Sequence, residues 1–235
     1  MDVKDIIQNG ANYFLPHLSI DLVIIGYQKN QLKCLLLKLG SKWVLPGGYI
    51  GKDQSVDDAV LETLRQRTGL EHAHLKFLSV FGSEDRKLGE DFKEFFDMLG
   101  MPWNKEYFIN QRFITLSYYS LVDIETTHPV PGEFDEAAEW FSFDELPDMW
   151  LDHGNIVASA RERLKKDIKH EHVTYNLLPD AFTMPQLHAL HQAILEEKLD
   201  RSRFQKKMLS SGIFERLPQL KKESPGRNPY LYKLK

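Results

Sequence analysis

Between Trp43 and Leu70 the chain spells out one unit that narrows its fold: a short apolar strand, a Pro46-Gly47-Gly48 break, and a helix marked at both ends. Residues 43–45 read as the strand. Proline donates no ladder bond and glycine turns freely, so the break ends it. Ser55 is a good N-cap, with Asp57 and Asp58 in the first turn, where the helix dipole favours acid. Val56, Ala59, Val60 and Leu64 then share a face, and Gly69 closes the helix. Upstream, the apolar runs 18–27 and 33–39 flank Gln28-Lys29-Asn30-Gln31, which predicts a hairpin. Strands are also predicted at 75–81, 112–123 and 137–143. The stripe Ile156, Val157, Ala160, Leu164 and Ile168 predicts a helix over 154–168, and Trp140 reads as core. Strands interleaved with two helices make this body an α/β or α+β sandwich.

Residues 87–111 are an insertion with Phe92, Phe95, Phe96 and Leu99 at helical spacing, which reads as packing or dimer surface. The polar run from His170 begins a linker, 170–179, between a first domain at 1–169 and a second at 180–235. In the second, Thr183 and Gln186 form a capping-box pattern, and a helix follows to about Glu196. Another helix runs between Asp200 and Gly212. Residues 213–217 and 230–234 then pair as a wing, so the unit reads as a winged helix-turn-helix.

Charge divides the same way. From Arg201 onward ten lysines and arginines face two glutamates, a balance of +8, within a chain whose net charge is −4. Such a tail-end module suits a polyanion. No apolar run is long enough to cross a membrane, no secretory pattern opens the chain, and Cys34 is the only cysteine. These features point to a cytoplasmic protein.

Gly48, Gln54 and the run from Glu62 through Thr63, Gln66 and Arg67 to Gly69-Leu70 resemble the Nudix box. That family's pattern is Gly, five residues, Glu, seven residues, then Arg-Glu-apolar-any-Glu-Glu-any-Gly-apolar. Its glutamates hold magnesium or manganese against a nucleoside-diphosphate substrate. Laid on that pattern, Gln54, Thr63, Gln66 and Arg67 stand where the four glutamates belong, and Glu62 stands in place of the arginine. The resemblance therefore implies a Nudix α/β/α sandwich without metal, cofactor or catalytic residues.

A degenerate Nudix domain ahead of a winged helix is similar to the Nudix-related transcriptional regulators, the NrtR-like group. Asp85-Arg86, Tyr118-Tyr119, Leu151-Asp152-His153, Ala160-Arg161-Glu162, Asn176-Leu177-Leu178-Pro179 and Phe182-Thr183 carry that likeness too. It implies a homodimer that binds double-stranded DNA and responds to a sugar or an ADP-ribose-like effector.

For the effector, the candidates are Gly47, Gly48, Asp85 and Arg86, whose guanidinium fork suits an anion or sugar hydroxyls. Arg86 otherwise reads as a surface ion pair with Glu84 or Asp85, and Asp152-His153 as a helix cap. For DNA, the candidates are Arg201, Arg203, Lys206 and Lys207 on the second helix, and Lys221, Lys222, Arg227 and Asn228 on the wing. Ser202 and Gln205 stand beside the first set, while Phe204, Met208 and Leu209 point to the core. His188 and His191 are expected at the domain junction. The rival reading is a Nudix hydrolase that holds magnesium or manganese on Glu62, Glu84 or Asp85.

Overall fold

The computed structural model describes residues 2–70, 74–133, 135–169, 176–219 and 228–235. It opens with a seven-residue helix that the sequence did not signal, α1 (Val3–Asn9). The predicted hairpin forms as antiparallel β1 (Phe14–Gln28) and β2 (Gln31–Leu39), with Gln28 opposite Gln31. Lys29 and Asn30 at its tip take φ of 52° and 61°. A two-residue turn needs that left-handed pair to match the twist of its strands.

The strand expected at 43–45 forms as β3 (Lys42–Val44) and pairs antiparallel with β2. Gly47 and Gly48, expected to form a turn, open a strand instead. β4 (Gly47–Gly51) is antiparallel to β1, with Gly48 opposite Ile20 and Gly47 opposite Asp21. The reason is steric. A Cβ at Gly47 would lie 2.8 Å from Asp21 Oδ1 and from the Ile20 carbonyl, and one at Gly48 would lie 2.7 Å from Thr63 Oγ1. Glycine here permits close approach of strand and helix.

α2 (Val56–Thr68) starts where Ser55 accepts the Asp58 N–H and ends at Gly69, φ 70°. β5 (His74–Phe81), α3 (Lys93–Met98), β6 (Ile114–Leu121), β7 (Ala137–Ser142) and α4 (His153–Asp167) complete the body. Seven strands form one sheet along the path β3-β2-β1-β6-β5, with β4 also on β1 and β7 also on β2. β6 runs parallel to β1, Leu18 opposite Ile114.

Alternation along β1 sorts the core. Ile20, Leu22 and Ile24 pack with Ala59, Val60 and Leu64 of α2, and Trp140 joins them half-buried. Val23 and Ile25 pack with Ile156, Val157, Ala160 and Leu164 of α4. One sheet between two helices is the predicted α/β/α sandwich. A third cluster joins Ile7 of α1 to Phe92, Phe95, Phe96 and Trp150, so the insertion's aromatic stripe is buried.

β8 (Phe182–Thr183), α5 (Met184–Leu195), α6 (Arg201–Ser210), β9 (Phe214–Gln219) and β10 (Tyr230–Leu234) form the winged helix, its sheet ordered β8-β10-β9. Both bonds of the Thr183–Gln186 capping box are made. Leu187, Leu190 and Ile194 of α5 are buried in the same cluster as the α4 residues. Leu177 and Leu178, read as linker, are buried there too, and 170–175 lie outside the described residues.

Two expectations change. Leu209 is 42% exposed, because α6 buries only Phe204 and half-buries Met208. His188 and His191 pack on Phe204, with ring centroids 5.1 and 4.8 Å away, inside the winged helix rather than at the junction. Among the described residues no helix is long and apolar enough to cross a membrane.

Candidate functional site

A cavity of about 550 Å³ lies against β4 and α2, within the size range of small-molecule sites. Gly47 and the box positions Gly48, Gln54, Glu62, Thr63, Gln66 and Arg67 line it, and the insertion supplies Leu88, Phe92, Phe95 and Ile109. The insertion is therefore both a core and a wall.

Arg86 also lines it, but neither predicted ion pair forms. Its side chain is 3% exposed, and its partners come from opposite ends of the domain. Nη2 donates to Asp21 Oδ2 at 2.6 Å and Nε to Asp152 Oδ1 at 2.8 Å. Asp85 is exposed, accepts the Ser83 hydroxyl, and takes no part in the cavity wall. Burial excludes the solvated arrangement and calls for full pairing.

Asp152, expected to cap α4, stands at the N-cap but makes no capping bond, because its carboxylate is given to Arg86. His153, the first residue of α4, accepts the Leu45 N–H on Nδ1 at 3.0 Å. Its proton is thereby assigned to Nε2, 3.7 Å from Asp21 Oδ1. Burial lowers its pKa, with Asp21 opposing, so the ring is neutral. The Tyr49 phenol is raised, first by burial and then by Asp21, and stays a donor. Leu151, just before Asp152, takes φ 55°, a strained value of the kind that collects at ligand sites. Ser19 Oγ is buried at the wall without a partner among the described residues.

On the box side, Glu62 accepts from Gln54 Nε2 at 3.1 Å and from Gln66 Nε2 at 2.9 Å. Gln54 Oε1 accepts the Gly51 N–H, and the Thr63 hydroxyl donates to Ala59. Arg67 Nη1 donates to Asp135 Oδ2 at 2.5 Å, and Asp135 also takes the Gly132 N–H. Sequence reasoning missed Asp135, which lies 68 residues from its partner. Among the described residues no group of three or more His, Cys, Asp or Glu is placed to hold a metal ion.

The second site is α6. Arg201, Arg203, Lys206 and Lys207 are all exposed, as are Ser202 and Gln205, and no ion pair among the described residues neutralises the four cations. Asp200 caps the helix by accepting the Arg203 N–H at 2.7 Å. Lys221, Lys222 and Arg227 lie outside the described residues, and Asn228 is half-buried just ahead of β10. Arg216 on β9, not singled out beforehand, stacks over Tyr230 at 3.3 Å.

α4 joins the two sites. Its first residue, His153, lines the cavity, and its N-cap, Asp152, holds the cavity-lining Arg86. Further along, Arg161 and Lys165 both pair with Glu196, the C-cap of α5, the lysine at 2.6 Å.

Residues 15–160 match the NUDIX domain family, and residues 174–234 match the NrtR DNA-binding winged helix domain. The ADPR responsive transcriptional repressor NtrR of Acinetobacter baylyi is 24% identical over 220 residues, 90% of this chain and 79% of that protein. The ADP-ribose pyrophosphatase of Methanocaldococcus jannaschii is 23% identical over 150 residues, 62% of this chain and 73% of that one. The crystal structure of Shewanella oneidensis NrtR complexed with a 27mer DNA shares the fold, with a TM-score of 0.69, 22% identity and 93% of each chain covered. The chain belongs to the NUDIX family, and its Nudix domain is followed by a winged helix of the NrtR type.

Proposed function

We propose that this protein is a transcriptional regulator: α6 and the wing bind double-stranded DNA, and a sugar or ADP-ribose-like effector in the Nudix cavity sets that affinity. One observation carries the reading. A cavity whose box carboxylates are replaced is linked through α4 to a module that exposes four cations with no ion pair among the described residues. The repressor of Acinetobacter baylyi, named for its response to ADPR, makes ADP-ribose the first effector to test. Effector sites in this reading are Gly47, Gly48 and Arg86, and DNA contacts are Arg201, Arg203, Lys206 and Lys207. The cavity hydrolyses nothing, because the box offers no set of carboxylates for a hard divalent ion. Repressors that read palindromes act as dimers, so the working form is a homodimer in the cytoplasm.

Coupling follows from the pairings. An effector that engages Arg86 competes with Asp21 and Asp152, and a released Asp152 can cap α4. A shift of α4 reaches α5 through Arg161, Lys165 and Glu196. Occupancy changes DNA affinity only by the difference in effector affinity between the two arrangements. The test is fluorescence anisotropy of the full chain on duplex DNA from upstream of its own gene, titrated with and without ADP-ribose and pentoses. Binding is expected, with an effector-dependent shift. Equal binding by a chain truncated at His170 would refute the assignment.

A further inference from the structure

The box side of the cavity holds a protein-borne cation where the family's pattern places a carboxylate. We propose that the Arg67 guanidinium takes over the electrostatic role of the divalent ion, so that the cavity binds the diphosphate of a nucleotide effector without metal. This rests on the effector-site reading above.

Three observations carry it. First, the oxygens that would meet a metal are spent. Glu62 is bonded by Gln54 and Gln66, the Gln54 oxygen takes the Gly51 N–H, and the Thr63 hydroxyl points to its own helix. A hard divalent ion needs about six oxygen ligands, and this set does not fit it.

Second, Arg67 is held in place rather than free. Asp135, its side chain 4% exposed, anchors Nη1 at 2.5 Å, and Nη2 lies 3.4 Å from the Gly47 carbonyl. The Gly132 backbone closes around it so tightly that a Cβ there would lie 2.0 Å from Nη1. Third, Arg67, Gly47 and Gly48 line the same cavity. A guanidinium has five N–H donors, and Asp135 and Gly47 use two. The remaining donors suit paired phosphate oxygens, and the fixed fork loses little freedom on binding.

The experiment is isothermal titration of the full chain with two probes, ADP-ribose and inorganic pyrophosphate, each in excess EDTA and in excess magnesium. Equal dissociation constants in the two buffers are expected. Arg67→Gln should weaken binding by roughly tenfold to a hundredfold, the range of one charge-assisted pair, and Arg67→Lys should recover part of it. Because Arg67→Gln strands a buried Asp135, the double variant Arg67→Gln with Asp135→Asn is run beside it, with folding checked by circular dichroism. Abolition of binding by EDTA, or a folded Arg67→Gln double variant that binds like the wild type, overturns the proposal. If pyrophosphate binds in an Arg67-dependent way and ADP-ribose does not, this inference stands and ADP-ribose falls as the effector. If neither probe binds, both fall.

Discussion

Asp152 stands at the N-cap of α4, yet its carboxylate lies 2.8 Å from Arg86 Nε and makes no bond to the helix it begins. The side chain placed to cap the helix that leads to the winged helix is spent instead on the cavity-lining Arg86.

Arg86 is the centre of that arrangement. Its replacement by methionine keeps the bulk but leaves Asp21 and Asp152, both largely buried, without their counter-charge. Breaking such a buried pair costs about 3–5 kcal/mol. Urea unfolding of Arg86→Met should show a loss of that order, and a change below about 1 kcal/mol would mean that the pairs carry no weight.

Glu196 tests the other end of α4. It pairs with Arg161 and Lys165, but it also holds φ at 57°, a conformation glycine adopts freely. Glu196→Gly removes two exposed ion pairs worth little and relieves the backbone, so stability should stay within about 1 kcal/mol. Effector affinity should also hold, while the effect of the effector on DNA affinity shrinks. Unaltered coupling in anisotropy titrations would exclude this route.

The cations of α6 should separate by role. Arg203→Ala is expected to cost about 1–3 kcal/mol on the preferred duplex and to relax sequence preference, as loss of a base contact does. Lys206→Ala should weaken all duplexes alike and flatten the salt dependence. Neither touches the core, since both side chains are exposed. Binding measured at several salt concentrations on matched and scrambled duplexes separates the two.

His191 ties stability to pH. Burial lowers its pKa to about 4, and Lys207 and His188 push the same way. The folded state disfavours the protonated ring, whereas the unfolded chain protonates near the ordinary value of about 6.5. This contribution is therefore complete above about 6.5 and is lost as pH falls toward about 4. It amounts to about 3 kcal/mol. His153, lowered by its own burial, acts with the same sign. His191→Phe should flatten the acid limb of a stability profile between those values, and an unchanged limb would remove His191 as its cause.

Signals confined to a few neighbouring residues were legible. Lys29-Asn30 named the hairpin, Ser55 and Gly69 bounded α2, and Thr183 with Gln186 opened α5, because each depends only on local geometry. Gly47-Gly48 misled for a physical reason: glycine permits a turn, but it equally permits β4 to press against Asp21 and Thr63. What remained hidden was long-range. Arg86 meets Asp21 and Asp152 from 65 and 66 residues away, and Arg67 meets Asp135 from 68. No local pattern encodes such pairs. α1 is too short to show a stripe, and it gains its helix by seating Ile7 on the insertion's phenylalanines.

The account turns on an effector that is kept rather than cut. The most direct measurement incubates the purified chain with ADP-ribose, magnesium and a labelled duplex from upstream of its gene, and follows phosphate-ester cleavage and duplex anisotropy in the same sample. The account predicts intact ADP-ribose and an anisotropy that moves with its concentration. Fast magnesium-driven cleavage by a chain that ignores the duplex would contradict it.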